Sequence, residues 1–154
     1  MQSVPANEII PGLWLGNAVA AADGKFLVDK KIRAVFNCTK NLPFHEAARI
    51  RYRIPVDDNL QQEEIRNMEL WAFESVYKVR LEHKMGPVFV HCHAGMQRSA
   101  AVVAMYLIAT QNLQTEQAIR YIRERRPIAF TPAPNFLKSI TGFEKTLDGM
   151  KMSV

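Results

Sequence analysis

The stretch Val88-Phe-Val-His-Cys-His-Ala-Gly-Met-Gln-Arg-Ser-Ala100, VFVHCHAGMQRSA, decides the fold. Val88 to His91 read as a buried strand that starts after the Gly86-Pro87 break. Ser99 to Gln111 is apolar on almost every side, as in a helix enclosed by a core. Between them Cys92 stands between two histidines, and His93 to Gln97 separate it from Arg98. A strand feeding a helix through a tight turn is the repeating unit of parallel sheets. Ligands in such sheets bind beyond the carboxyl ends of the strands, where Cys92 falls.

Outward from this stretch, the same alternation continues. IIPGLWLGN predicts two short strands around a Pro-Gly turn. A short helix is expected within Ala18–Lys30, and a buried strand in Ile32–Thr39. Arg49, Arg51 and Arg53 alternate with Ile50, Tyr52 and Ile54, which predicts a half-buried strand with its arginines on a solvated face. Ile65, Met68, Ala72, Val76 and Val79 form one apolar stripe, giving a helix over about Glu64–Glu82. Thr115 is the expected N-cap of a further helix that ends before Pro127, and a last helix covers about Asn135–Leu147. Arg120, Arg123, Arg125 and Arg126 are assigned to a solvated helix face whose ends approach the cleft; Trp14, Trp71 and Phe143 are assigned to packing.

Bulk properties bound the class. At 154 residues, 48% hydrophobic and 23% charged, the chain has the composition of one globular domain, 1–154. The two cysteines, Cys38 and Cys92, make no disulfide framework and fit a reducing compartment. MQSVPANEII lacks the basic and apolar regions of a secretory signal, and the apolar run Ala100–Ala109 is too short to span a bilayer. A net charge of +5 favours anionic partners, but the basic residues are dispersed, so neither nucleic-acid nor membrane binding is expected.

The loop itself carries chemistry. Its backbone N–H groups can turn inward, and the positive end of the following helix points the same way. Together they form a cradle for a tetrahedral anion. Gly95 supplies a permissive backbone, and Arg98 a planar fork that grips two oxygens at once. The same donors stabilise a thiolate at Cys92 when no anion is bound. Two blander readings compete. Three consecutive residues, His91, Cys92 and His93, rarely converge on one metal ion. An inert core cysteine leaves Gly95, Arg98 and Ser99 unexplained, whereas it suits Cys38 well.

His91-Cys92-His93-Ala94-Gly95-Met96-Gln97-Arg98-Ser99 resembles the HCxxGxxR(S/T) signature of the cysteine-dependent protein tyrosine phosphatase superfamily. EIIPGLWLGN, IRAVFNCTKNLP, IPVDDN and RRPIAFTPAPNFLKSITGFEKTL resemble, in order, the opening strand pair, second core strand, acid loop and closing segment of its dual-specificity branch. The likeness runs from about Asn7 to Leu147 and is that of a small atypical single-domain member. It implies an α/β fold, a central mainly parallel twisted sheet of about five strands with helices on both faces.

The resemblance also implies roles. Cys92 attacks phosphorus; Arg98 and the loop His93, Ala94, Gly95, Met96 and Gln97 hold the phosphate oxygens. A carboxylic acid protonates the leaving group and then activates water. Asp57 and Asp58 are both available, and the family's spacing after the proline favours Asp58. Ser99 supports the departing sulfur, and His91 orients the loop. Asn135 either braces the loop or caps a helix. No metal or other cofactor is implied. The expected partners are phosphorylated proteins, the expected location the cytoplasm with the nucleus also open, and the oligomeric state a monomer or weak dimer. A phosphoinositide, an RNA 5′-phosphate or a phosphoglycan is the alternative substrate, and a phosphate-binding pseudophosphatase the alternative class. Gln97 departs from many close relatives, which carry a small residue there.

Overall fold

The computed structural model describes residues 4–152. In chain order its elements are β1 (Ala6–Ile10), β2 (Leu13–Gly16), α1 (Ala18–Ala21), α2 (Gly24–Asp29), β3 (Ala34–Asn37), β4 (Ile50–Arg53), α3 (Gln62–His83), β5 (Val88–His91), α4 (Arg98–Gln111), α5 (Thr115–Arg125) and α6 (Leu137–Met152). The five strands form one sheet in the order β1-β2-β5-β3-β4. Only the β1–β2 hairpin is antiparallel. The α/β architecture expected from the sequence is therefore present.

The pleat divides the core between the two faces. Leu13, Leu15, Ala34, Phe36, Val88 and Val90 lie in the larger cluster, with residues of α3, α4, α5 and α6. Val35 and Phe89 point the other way, onto Ala20, Ala21 and Leu27 of α1 and α2. The central strand β5 is buried along its whole length, as a strand covered on both faces must be. Helix α4 is enclosed just as fully: every residue from Ser99 to Ile108 is buried. Burying a side chain such as Met105 or Leu107 contributes roughly 1.5–3 kcal/mol. Leu107→Ala would cost about 2–5 kcal/mol through the cavity it leaves.

Sheet register positions the functional edge. Gly16, His91 and Asn37 are cross-strand partners at the carboxyl ends of β2, β5 and β3. The chain then leaves β5 into the Cys92–Gln97 loop, with the Cys38 N–H donating to the His91 carbonyl at 2.8 Å.

Local chemistry moves several expected boundaries. Ala18–Lys30 holds two short helices: the Asn17 side chain accepts from Ala20 N–H, and the Asp23 side chain accepts from Phe26 N–H to start the second. Helix α3 runs beyond the expected span at both ends. Thr115 is not an N-cap. Gln114 and Gln117 form a reciprocal capping box. The Thr115 hydroxyl is buried and donates instead to Glu144 Oε1 at 2.5 Å, tying α5 to α6. The last helix starts at Leu137 and runs past Leu147. The arginine face of β4 is exposed at Arg51, whereas Arg53 folds back to donate to the carbonyls of Thr39 and Leu42. Trp14 and Trp71 are half-buried and Phe143 is buried, as expected for packing.

Candidate active site

Cys92 sits one residue past the sheet edge, 2% exposed. Its Sγ lies 3.0 Å from Ser99 Oγ, in the first turn of α4. Ser99 is fully enclosed, and Cys92 lines the floor of a cleft. That cleft has a volume of about 300 Å³ and is lined by Cys92, His93, Ala94, Met96, Gln97 and Arg98 on the loop side. Asp58, Thr131 and Asn135 complete it.

The loop is held in shape by specific contacts. Gly95 adopts φ 66°, and a Cβ there would meet the Gly16 carbonyl at 2.5 Å and the Arg126 guanidinium at 2.7 Å. Glycine is required on both counts. Arg126 Nε donates to the Gly95 carbonyl at 2.8 Å, and Nη2 to the Ala94 carbonyl at 3.2 Å. Nη1 of the same side chain reaches the Val4 carbonyl and Asn7 Oδ1. These contacts fix the Ala94 and Gly95 carbonyls on the side of the loop that faces Arg126.

This is a correction to the sequence expectation, which placed Arg126 on a solvated face: it is 1% exposed. Arg123 is half-buried too and donates to the carbonyls of Ala129 and Phe130. The sequence signal was present but easily missed. Arg126 directly precedes Pro127, at the point where α5 must stop and turn inward.

Arg98 is the first residue of α4. Nη1 donates to the Val56 carbonyl at 3.0 Å, while the buried Nε has no partner among the described residues. A buried guanidinium N–H without an acceptor is costly, and Arg98 lines the cleft.

The two candidate carboxylates part company. Asp57 Oδ2 pairs with Lys40 Nζ at 3.2 Å, and the Asp57 N–H donates to Glu64 Oε1. Glu64, buried near the start of α3, also binds Lys40 Nζ at 2.8 Å. The Lys40 ammonium holds the Glu64 carboxyl below the usual carboxylate range. Glu64 thus anchors the base of the segment that carries Asp57 and Asp58, which its place in a helical first turn did not reveal. Asp58 lines the cleft, and its Oδ1 accepts from Asn135 Nδ2 at 2.9 Å. Asn135 therefore contacts Asp58 with its side chain, rather than the phosphate loop.

His91 is buried and stacks on Phe89. Its Nδ1 donates to the Cys92 carbonyl at 3.3 Å. Burial pushes its pKa down to about 4, so the ring is neutral at physiological pH. His91 and His93 do not converge: the first is enclosed and the second is exposed on the cleft rim. Cys38 is fully buried, and burial pushes its thiol up. Among the described residues, no helix is long and apolar enough to cross a membrane.

Comparison with known proteins agrees with this geometry. A family model described as the catalytic domain of dual specificity phosphatases matches residues 13–146. Human dual specificity protein phosphatase 1 is 32% identical over 139 residues, which are 89% of this chain and 36% of that protein. Chicken dual specificity protein phosphatase 4 is also 32% identical over 139 residues. The chain thus spans about a third of the length of the curated relatives it matches. Among solved structures, human DUSP28 superposes with a TM-score of 0.79 at 26% identity, over 96% of this chain and 97% of that one. A mouse putative dual specificity phosphatase complexed with zinc tungstate gives 0.79 at 28% identity, over 96% and 91% of the two chains.

Proposed function

The chain belongs to the family of dual specificity phosphatase catalytic domains, and from that premise we propose that it hydrolyses phosphotyrosine and phosphoserine/threonine in proteins through a cysteinyl-phosphate intermediate. The observation that carries this reading is the juxtaposition of a thiol, an arginine with an unpartnered buried N–H and a carboxylate around one cleft. The printed names of the relatives, dual specificity protein phosphatases, support a phosphoprotein substrate. The tungstate held by the mouse relative is a tetrahedral oxyanion, the shape this loop suits.

The positions of these residues support the following roles. The Cys92 thiolate attacks phosphorus, and the P–O bond to the leaving group breaks. Arg98 and the loop N–H groups hold the three equatorial oxygens while charge redistributes. Asp58 gives its proton to the leaving oxygen, then as carboxylate takes one from the water that attacks the intermediate. The P–S bond breaks, phosphate departs, and Ser99 donates a hydrogen bond to the returning thiolate. His91 holds the Cys92 peptide in the orientation this requires.

A turnover panel tests the reading. Phosphotyrosine and phosphothreonine peptides should be hydrolysed by the wild-type chain, with or without a chelator, and not by Cys92→Ser. Phosphoinositides and 5′-triphosphate RNA should be poor substrates, because the loop's variable positions His93, Ala94, Met96 and Gln97 carry no permanent charge. Faster turnover of either of these than of the peptides would overturn the protein-substrate assignment.

A further inference from the structure

Gln97 occupies a signature-loop position, yet its side chain points out of the loop and across to the opposite wall of the cleft. It is 6% exposed, and its amide makes three hydrogen bonds, using both N–H donors and the carbonyl oxygen. Nε2 donates to the Thr131 carbonyl at 3.1 Å and to the Ala133 carbonyl at 3.0 Å. Oε1 accepts from the Asn135 N–H at 2.9 Å. One side chain thus binds three backbone groups of a five-residue segment, 131–135, that has no helix or strand of its own. Asn135 lies at the end of that segment, and its Nδ2 donates to Asp58 Oδ1 at 2.9 Å.

These contacts form a continuous path from the anion loop to the carboxylate. Asp58 needs such support. It is exposed and is followed by exposed Asn59 and Leu60, so its own loop gives little side-chain order. With Oδ1 engaged by Asn135, Oδ2 is the oxygen left to exchange a proton across the cleft.

We propose that Gln97 is a positioning residue for proton transfer: it clamps segment 131–135 to the phosphate loop so that Asn135 aims Asp58 at the leaving group. This rests on the reading of Asp58 as the general acid. The chemistry demands an amide. A serine or alanine is too short to reach the far wall. A glutamate of the same shape would keep the acceptor for Asn135 N–H but set a carboxylate oxygen against two carbonyls.

The test compares two aryl phosphates, p-nitrophenyl phosphate, whose leaving group needs little protonation, and phenyl phosphate, whose leaving group needs more. Wild type, Gln97→Ala, Gln97→Glu, Asn135→Ala, Asp58→Asn and the Gln97→Ala/Asp58→Asn double variant are assayed. General-acid assistance is worth roughly 10²–10⁴-fold, so partial misplacement should lower the phenyl-to-nitrophenyl ratio of kcat/KM, which reports formation of the intermediate and not its shared hydrolysis, at least about ten-fold in each single variant. In the Asp58→Asn background, Gln97→Ala should leave the ratio where Asp58→Asn alone puts it.

If Gln97→Ala slows both esters equally and the ratio stays within about two-fold of wild type, the residue merely braces the phosphate loop and the proposal is wrong. If Gln97→Ala does not fold, an unchanged ratio in Asn135→Ala overturns it equally. A different failure identifies the underlying reading: if Asp58→Asn itself leaves the ratio unchanged, Asp58 is not the acid.

Discussion

Arg126 Nε and the Gly95 carbonyl meet at 2.8 Å, joining the end of α5 to the middle of the anion loop. The same guanidinium holds the Ala94 and Val4 carbonyls and Asn7 Oδ1. Arg126→Met fills much of the volume but orphans these acceptors. Hydrogen bonds from a charged donor are worth about 1.5–3 kcal/mol each, with part of this recovered by relaxation and water. A net loss of about 2–4 kcal/mol should lower Tm by roughly 4–16 °C in a domain of this size. Thermal unfolding by circular dichroism measures it. Tungstate affinity of the folded fraction should fall as well, since the loop loses its outer tether.

Asp57 and Asp58 should separate cleanly on mutation. Asp58→Asn should lower kcat/KM for phenyl phosphate by at least about 10²-fold and for p-nitrophenyl phosphate far less, because in forming the cysteinyl-phosphate only the poorer leaving group depends on the proton. Asp57→Asn breaks a largely exposed pair with Lys40 and should change neither the ratio of the two rates nor the thermal midpoint appreciably. Steady-state kinetics on both esters decide between them. A leaving-group effect in Asp57→Asn instead would reverse the assignment.

Ser99 Oγ stands 3.0 Å from Cys92 Sγ. In the proposed mechanism, Ser99→Ala removes a donor to the thiolate that leaves during hydrolysis of the intermediate. A hydrogen bond to a charged group contributes roughly 1.5–3 kcal/mol, or about 10- to 150-fold in rate. The loss should fall on breakdown rather than formation of the cysteinyl-phosphate. Pre-steady-state kinetics with p-nitrophenyl phosphate should then show a clear burst followed by a slow phase.

His91 makes stability depend on pH. Its folded-state pKa of about 4 lies below the 6.5 of a free imidazole, so the unfolded chain takes the proton first. This contribution is fully present above about pH 6.5 and is lost as pH falls toward 4, to a total of about 3 kcal/mol. Urea unfolding at pH 7.5 and pH 5 should therefore show a steeper loss for wild type than for His91→Gln. Equal losses would show that the ring is not held neutral by its enclosure.

How much of this was legible in the sequence depends on the range of the interaction. The alternation of Val88–His91 with Ser99–Gln111 carries its own period, so the central strand, the buried helix and the loop between them could be placed from local pattern. Cys92, Arg98 and Ser99 fall within one short segment, and their proximity follows from the turn. Arg126, Glu64 and the clamp of Gln97 were hidden because each acts on a partner brought close only by the fold. Arg126 contacts Val4, 122 positions away, and Gln97 contacts Asn135, 38 positions away. Their side chains look like surface residues until topology buries them. Thr115 failed for the opposite reason: a good capping residue was recruited by Glu144 of α6, and its neighbour Gln114 took the cap.

The central claim is that phosphate passes through Cys92. Rapid acid quench of the wild-type chain during turnover of a radiolabelled phosphotyrosine peptide tests it most directly. Labelled protein should appear within the first turnover, with the label on the peptide containing Cys92, and should accumulate further in Ser99→Ala. Label absent from the wild-type protein while phosphate is released, or label retained in Cys92→Ser, would contradict the account.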